Sequence, residues 1–264
     1  MQPTLEQVLT WTTEAAQIAL KMQTDQLEMH YKAAFELVTE ADAAVEKYLL
    51  EKIQAEFPDH SINAEESGEQ DRDGEHKWYI DPIDGTLNYA HAIPIYAVSV
   101  AYAYKGELQI GVICNPAGQE TYWAEKGQGA FLNGAAIQVS PIELMRDSLL
   151  ITGFRQSLID TPRSNVNNFV RLSRDVQTIR RLGSAALDLA YVACGRAEAF
   201  WEIDLNPWDV AAGILIVCEA GGIVDGLYGN SELLKGKVDI LCGNPHIFPQ
   251  MRTILLEERE KLAI

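Results

Sequence analysis

The sequence predicts a mixed α/β protein in which helices cover β-sheets. Its first half opens with two amphipathic helical patterns and is then rich in strand patterns, whereas its second half alternates helical and strand patterns. The 264 residues fit either one large layered unit or two subdomains that share a core. We place a subdomain boundary near Asp147, which gives an α+β part over residues 1–146 and an α/β part over residues 147–264.

Two helices are predicted at the beginning of the chain. Apolar residues recur at helical spacing between Leu5 and Ala19, and Thr4 is suited to cap this helix. A second helical pattern runs from Glu40 to Phe57 and is ended by Pro58. Asp42 lies near its start, where the helix dipole tolerates a negative charge.

Strand patterns dominate the rest of the first half, because β-branched and aromatic residues recur between turn residues. They cover Ser61–Ala64, Trp78–Ile80, Tyr96–Tyr104, Leu108–Cys114, Glu120–Ala124 and Ala130–Leu132. A polar loop from Glu65 to Lys77 separates the first two.

The second half reads as helices that alternate with strands. The predicted strands are Ser148–Thr152, Thr178–Arg180, Ala197–Trp201 and one near Asp239–Cys242, and the predicted helices are Asn165–Ser173, Ser184–Cys194 and Pro207–Ala220.

Composition excludes several classes of function. The formal charge of -17, from 38 acidic and 21 basic residues, would repel a nucleic-acid backbone, so we expect no direct nucleic-acid binding. The four cysteines form no Cys-x-x-Cys pair, which argues against a zinc site or a disulfide framework and suits a reducing cytoplasm. No Lys or Arg precedes Lys21, and no apolar stretch has the length of a membrane span, so we expect neither a signal peptide nor a membrane association.

The chemistry of the chain is concentrated in one short segment, Asp81-Pro82-Ile83-Asp84-Gly85-Thr86. Pro82 cannot donate a strand hydrogen bond, so the two carboxylates are held at a turn. If Gly85-Thr86 opens a helix, its N–H groups would bind a phosphate oxygen. Hard cations such as Mg²⁺ need several oxygen ligands, and a pair of them can hold an attacking water and a leaving oxygen.

Further oxygen donors come from Glu65-Glu66, after a strand, and from Asp209, at the start of a helix. Taken alone, Glu65-Glu66 is as well explained by a solvated loop, and Asp209 by a helix N-terminal charge. Other motifs do not fit: the spacing after Asp81 is wrong for an EF-hand, and no P-loop, dinucleotide fingerprint or Gly-x-Ser-x-Gly elbow occurs.

Together these residues resemble the inositol monophosphatase family. Two segments resemble its signatures, residues 81–88 (DPIDGTLN) and residues 208–213 (WDVAAG). Five more match in order: VTEAD at 38–42, AEES at 64–67, GAFLNG at 129–134, RLGSAA at 181–186 and EAGG at 219–222. The resemblance extends over nearly the whole chain, and it implies an αβαβα sandwich of the inositol monophosphatase and fructose-1,6-bisphosphatase type, commonly dimeric.

The resemblance also implies a role for each matching residue. Glu65, Asp81 and the carbonyl of Ile83 would hold one Mg²⁺, whereas Asp81, Asp84 and Asp209 would hold a second. Glu65 would also face a third, weaker ion. Thr86, hydrogen-bonded to Asp42, would orient the attacking water, and the phosphate would lie over Gly85 and Thr86. The substrate hydroxyls would contact Asp84, Gly183, Ser184, Ala185, Glu202 and Asp209.

Glu202 bears on the substrate, because an acid that accepts hydrogen bonds from adjacent hydroxyls suits a polyol and disfavours an anionic group. Its alternative interpretation is a charge at a strand end. The segment from Leu27 to Phe35 matches a mobile loop of the family, in which Lys32 would contact the phosphate or the metal shell.

The resemblance therefore implies a Mg²⁺-dependent, Li⁺-sensitive phosphatase whose first-choice substrate is myo-inositol monophosphate. Fructose 1,6-bisphosphate, histidinol phosphate and 3′-phosphoadenosine 5′-phosphate are alternative substrates. A regulatory binding protein that keeps the same fold is the alternative from another class.

Overall fold

The computed structural model describes residues 1–23, 29–33, 36–228 and 232–262. The helices in these ranges are α1 Leu5–Gln23, α2 Glu40–Glu56, α3 Thr86–Ala90, α4 Val166–Leu172, α5 Ala185–Ala193, α6 Pro207–Glu219 and α7 Ile247–Leu262. The strands are β1 Met29–Ala33, β2 Glu36–Thr39, β3 Ser61–Ala64, β4 Gly68–Gln70, β5 His76–Asp84, β6 Ala97–Tyr104, β7 Glu107–Asn115, β8 Glu120–Glu125, β9 Ala130–Leu132, β10 Ala135–Ile137, β11 Leu149–Thr152, β12 Thr178–Arg180, β13 Ala199–Leu205, β14 Ile223–Gly226 and β15 Val238–Gly243.

The strands form two large sheets and one hairpin. The first sheet has eight strands in the order β10-β9-β8-β7-β6-β5-β3-β4, and the second has five in the order β12-β11-β13-β15-β14. In the first sheet only β3 and β5 run parallel to each other. The hairpin pairs β1 with β2 just before α2.

The sheets and helices stack in five layers. Helices α1 and α2 cover one face of the first sheet, α5 and α6 lie between the two sheets, and α4 and α7 cover the far face of the second. Strand β6 shows why each sheet is apolar on both faces: Val98, Val100 and Tyr102 pack towards α1 and α2, whereas Ala101 and Ala103 pack towards α5 and α6. The predicted αβαβα sandwich is confirmed.

The sequence patterns located most of these elements, but six were not predicted. They are the C-terminal helix α7 and the strands β1, β2, β4, β10 and β14, of which β4 lies within the segment from Glu65 to Lys77 that was predicted to be a loop. Strand β11 begins two residues after the boundary at Asp147, while α5 and α6 share one core with both sheets. The division into two subdomains stays a prediction. No described helix is long and apolar enough to cross a membrane.

Candidate metal and phosphate site

The predicted site residues lie at one edge of the first sheet. Because β3 and β5 are parallel, their carboxyl ends meet there, with Glu65 directly after β3 and Asp81 near the end of β5. The Glu65 N–H donates to the Ile80 carbonyl at 3.1 Å, which fixes Glu65 beside Asp81. The strand order therefore brings together two acids that the sequence separates by a long polar loop.

Asp81 and Asp84 were predicted to lie in a turn, but β5 continues to Asp84 and only Gly85 separates it from α3, so that prediction is wrong. The register between β5 and β6 shifts between Asp81 and Asp84, as expected where Pro82 removes a ladder donor. Gly85 has a φ of +90°, and a Cβ there would lie 3.0 Å from the Ile95 carbonyl oxygen and 3.1 Å from that of Gly183. Only glycine fits this position without strain. Helix α3 begins at Thr86, so the predicted helix start at Gly85-Thr86 is confirmed.

Asp84 joins the two halves of the chain at the start of α5. Its Oδ2 accepts a hydrogen bond from the Ser184 hydroxyl and another, at 2.7 Å, from the Ala186 N–H. Its Oδ1 accepts a 3.3 Å bond from the Ala185 N–H. Burial raises the pKa of Asp84 to about 6, although these three bonds pull it down. The expected substrate contacts Ser184 and Ala185 thus hold Asp84 directly, whereas Gly183 beside them is exposed.

Asp42 and Thr86 do not form the hydrogen bond that was expected between them, although both residues are described. Asp42 is the third residue of α2, and its Oδ2 accepts from the Thr39 N–H at 2.8 Å and from the Thr39 hydroxyl at 2.6 Å. Thr86 instead donates to the Ile83 carbonyl at 3.0 Å. A hydroxyl has one proton to donate, and Thr86 uses it for the Ile83 carbonyl, while Asp42 Oδ2 caps its own helix.

Asp42 nevertheless keeps one oxygen for another partner. Its side chain is buried, and its Oδ1 has no hydrogen-bond partner among the described residues. Burial raises the pKa of Asp42 to about 6, the bonds from Thr39 lower it, and the nearby Glu66 raises it further.

Asp209 occupies the equivalent position in α6. It is the third residue of the helix, and its Oδ2 accepts from the Asn206 N–H at 2.7 Å. Burial and then the Asp84 carboxylate raise the pKa of Asp209 to about 7, against the lowering effect of Asn206 and Lys237. Asp209 is thus a helix N-terminal charge that also interacts with Asp84 of β5, and its role as a metal ligand stays a prediction.

Glu202 lies inside β13 and faces the same acids, so its setting differs from a charge at a strand end. Burial, then Asp209 and Asp84, raise its pKa to about 8, whereas Arg181 and Arg155 lower it. The Glu202 carboxylate occupies the space next to Gly153, where a Cβ would lie 2.0 Å from Oε1. The backbone of Gly153 thus forms one wall of the Glu202 position.

Asp81 is the centre of this acidic group. Burial, then Glu65, Asp84, Asp209 and Asp42 in that order, raise its pKa well above the usual range. Its exposed fraction is 2%, and within the described part of the chain its Oδ1 lacks any hydrogen-bond partner. A buried carboxylate without a donor is costly unless a proton or a cation neutralises it.

The donors at this edge suit a hard cation, because they are carboxylates and the Ile83 carbonyl. Across the described ranges, no three Asp, Glu, His or Cys side chains are already placed to hold one metal ion. The carboxylates of Asp42, Asp84 and Asp209 each accept hydrogen bonds from N–H or O–H donors. These side chains must therefore rotate for their oxygens to converge on one cation. The unpartnered oxygens of Asp42 and Asp81 show that the residues fit such an ion.

A sequence model of the inositol monophosphatase family matches residues 1–261. The chain belongs to the inositol monophosphatase family. The family resemblance of the motifs is thereby confirmed over almost the full length of the sequence.

The proteins that are similar to this chain carry two kinds of name. Nus factor SuhB of Pseudomonas aeruginosa is 40% identical, over 97% of this chain and 96% of its own. Inositol-1-monophosphatase of Synechocystis is 44% identical, over 84% of this chain and 77% of its own. The solved structure of inositol monophosphatase from Anabaena has a TM-score of 0.85 and 38% identity, and covers 96% of this chain and 95% of its own.

Sequence reasoning missed two buried acids near the family motifs. Glu46 lies one helical turn after Asp42 in α2, and Asp188 lies one turn after Ser184 in α5. Burial, then Glu202 and Asp84, raise the pKa of Asp188 well above its usual range. An acid four residues after a motif residue, on the buried face of a helix, was the signal that could have found both.

The role expected for Lys32 lies partly outside the described residues. Residues 24–28 and 34–35 of the loop segment are not described, and neither is the Lys32 side chain.

Proposed function

We propose that this protein is a Mg²⁺-dependent phosphomonoesterase that acts on a small polyol or sugar phosphate, with myo-inositol monophosphate as the first choice. The buried Asp81 carboxylate carries the proposal, because it faces four further acids and has an oxygen without a donor in the described structure. Membership of the inositol monophosphatase family supports it.

The acids divide between two ions in the proposed site. Glu65, Asp81 and the Ile83 carbonyl would hold one Mg²⁺, Asp81, Asp84 and Asp209 would hold a second, and Glu65 would face a third, weaker site. When bound, Mg²⁺ supplies Lewis acidity and lowers the pKa of water. The free Oδ1 of Asp42 supports a role for it in accepting a proton from the attacking water, while Thr86 orients that water. Ligands come from both residues 1–146 and residues 147–264, so we place the site where these two parts meet.

The leaving group binds at the other end of the site. Gly85 and Thr86 carry the phosphate, and Gly183, Ser184 and Ala185 border the alcohol. Burial and the neighbouring Asp209 and Asp84 raise the pKa of Glu202 to about 8. A buried carboxyl group among other acids supports a polyol over an anionic leaving group, because its oxygens accept hydrogen bonds from hydroxyl groups. Fructose 1,6-bisphosphate, histidinol phosphate and 3′-phosphoadenosine 5′-phosphate are the substrates to test against inositol monophosphate.

Phosphate release with this panel of esters at fixed Mg²⁺, with and without Li⁺, tests the proposal. Asp84→Asn should reduce the rate by about a thousandfold or more, roughly 4 kcal/mol of transition-state stabilisation, because it removes a ligand charge. Its amide oxygen still accepts from Ser184, so the fold should persist by circular dichroism. Asp71→Asn is the matched control, because the Asp71 side chain is 76% exposed. Unchanged turnover in Asp84→Asn would refute the assignment.

A binding or regulatory role is the second candidate function. The similarity to proteins named Nus factor SuhB favours it. If the wild-type protein releases phosphate from no ester of the panel, this role is preferred.

Three further properties belong to the proposal. The family resemblance supports a homodimer, which sedimentation equilibrium tests. The four cysteines, all in described ranges, are free thiols, and this supports a reducing cytoplasmic setting. Fractionation of cells that express the tagged protein tests the location.

A further inference from the structure

We propose that Glu46 is a positioning residue that holds the backbone turn presenting Glu65 to the metal. This inference rests on the proposed function, because Glu65 is assigned there as a Mg²⁺ ligand. Glu46 belongs to none of the sequence motifs that identified the family.

The Glu46 carboxylate binds the turn through both of its oxygens. Its Oε2 accepts a hydrogen bond from the Glu66 N–H at 2.8 Å, and its Oε1 accepts one from the Ser67 N–H at 2.8 Å. These donors lie directly after Glu65, in the turn between β3 and β4. Glu46 is 3% exposed, so water does not compete for these bonds.

Glu65 is therefore held from two sides. Its own N–H is bonded to the Ile80 carbonyl of β5, next to Asp81, while the two residues after it are bonded to α2. Helix α2 also carries Asp42, one turn before Glu46. One face of a single helix thus places Asp42 and fixes the position of Glu65 relative to Asp81.

The two donors require a carboxylate at position 46. A glutamine has one acceptor oxygen, and its NH₂ group would face a backbone N–H in place of the second oxygen. Glu46→Gln therefore breaks one of the two bonds with little change in volume. Because partners behind metal ligands commonly contribute about 10- to 100-fold to metal affinity, a loss of this size is expected.

Titration calorimetry of the full chain with Mg²⁺, without substrate, tests the proposal. Glu46→Gln should bind Mg²⁺ about 10- to 100-fold more weakly than wild type. At saturating Mg²⁺ its kcat should return to within about threefold of wild type, with KM for the ester unchanged. The control is Glu51→Gln in the same helix, whose side chain is 67% exposed, and it should bind Mg²⁺ as wild type does.

Three outcomes would overturn the inference. Unchanged Mg²⁺ affinity in Glu46→Gln with a lower melting temperature would make Glu46 a purely structural contact. A kcat that stays low at saturating Mg²⁺ would place its role elsewhere. A wild-type protein that neither binds Mg²⁺ nor releases phosphate would refute the proposed function as well. By contrast, if the wild-type protein binds Mg²⁺ and Glu46→Gln binds it equally well, only the inference about Glu46 is refuted.

Amide hydrogen exchange in the wild-type protein gives a second test, which holds even if Glu46→Gln does not fold. Mg²⁺ should slow exchange at the Glu66 and Ser67 amides by about tenfold or more, because ordering Glu65 orders the turn. Exchange at these two amides that does not respond to Mg²⁺, while Mg²⁺ binds, would overturn the proposal.

Discussion

Buried polar side chains at the two ends of the parallel strands β3 and β5 lie in opposite environments. At their starts, the rings of His60 and His76 stack with centroids 4.1 Å apart, and the Trp78 indole N–H donates to His60 Nδ1 at 3.0 Å. His76 shares a 2.5 Å hydrogen bond with the Tyr102 hydroxyl. At their ends, Asp81 is buried among acids with an unpartnered oxygen in the described structure.

The difference separates stability from function within one pair of strands. Paired rings at the starts hold the strands together, whereas the acids at the ends repel one another unless protons or a cation neutralise them. Sites built for ligands are commonly destabilised without the ligand, and the rest of the fold must compensate.

The largest effect should appear when the variants Asp81→Asn and Trp78→Phe are compared. Asp81→Asn should lower phosphate release by about a thousandfold or more, because it removes the bridging charge. Without Mg²⁺ it should raise the free energy of unfolding by an amount on the order of 1 kcal/mol, because a buried repelled carboxylate disappears. Urea denaturation in a chelator and a phosphate-release assay measure the two quantities.

Trp78→Phe should show the reverse pattern. It leaves His60 Nδ1 without its buried donor, which costs about 1–3 kcal/mol of stability. Phosphate release by the folded variant should stay close to wild type. The comparison fails if either variant changes both quantities in the same direction.

Mg²⁺ should have the next largest effect, and its size should depend on pH. The pKa values of Asp42 and Asp84, raised to about 6, and of Asp209, raised to about 7, exceed those in the unfolded chain. Unfolded aspartates titrate near about 4. Between these limits the folded state binds more protons, so without Mg²⁺ the free energy of unfolding should fall as pH rises from about 4 to about 7.

Bound Mg²⁺ should remove this loss, because it replaces the protons. At 100 times its dissociation constant it should add about 3 kcal/mol at pH 8, and clearly less at pH 5. Urea denaturation at both pH values, with Mg²⁺ and with chelator, measures this. Equal stabilisation at pH 5 and pH 8 would contradict the account.

The smallest effect should come from the histidine end and have the opposite sign. Burial and then His76 lower the pKa of His60, while Asp73 opposes them. The unfolded chain therefore binds more protons just below about pH 6.5, and stability should be lost as pH falls through that value. His60→Gln should reduce this loss between pH 7 and pH 5, measured by urea denaturation with Mg²⁺ present.

His91→Gln serves as the control for this experiment, because His91 is exposed. A pH dependence in His60→Gln equal to that of wild type would show that the stacked rings do not set it.

Local chemistry allowed the sequence to predict part of the backbone at the site. Pro82 and Gly85 restrict the backbone wherever they occur, so an interruption of strand pairing after Asp81 and a helix that begins at Thr86 could be predicted without tertiary information, whereas the continuation of β5 to Asp84 was not. Asp209 could be placed at a helix start for the same reason.

The hydrogen-bond partners of the site residues could not be predicted, because they depend on contacts between distant segments. Asp42 was expected to bond Thr86, but the Thr86 hydroxyl donates to the Ile83 carbonyl and Asp42 Oδ2 caps its own helix. The clamp by Glu46 joins residues 20 and 21 positions apart, and the helical spacing from Asp42 marks the acid but not the N–H groups that it binds. Helix α7 was missed although Ile247, Met251 and Leu255 recur at helical spacing.

The bond between the Ser184 hydroxyl and Asp84 spans 100 positions of sequence, which has a consequence for synthesis of the chain. A ribosome exposes Asp81 and Asp84 long before α5 and α6 have been made. In the emerging chain Asp81 and Asp84 thus lack the partners from α5 and α6 that would complete a site able to hold a cation firmly. Closure of so long a loop is slow, and it comes late in folding. If the proposed site binds Mg²⁺, the ion therefore enters late in folding, and a chain truncated before α5 would lack the complete site.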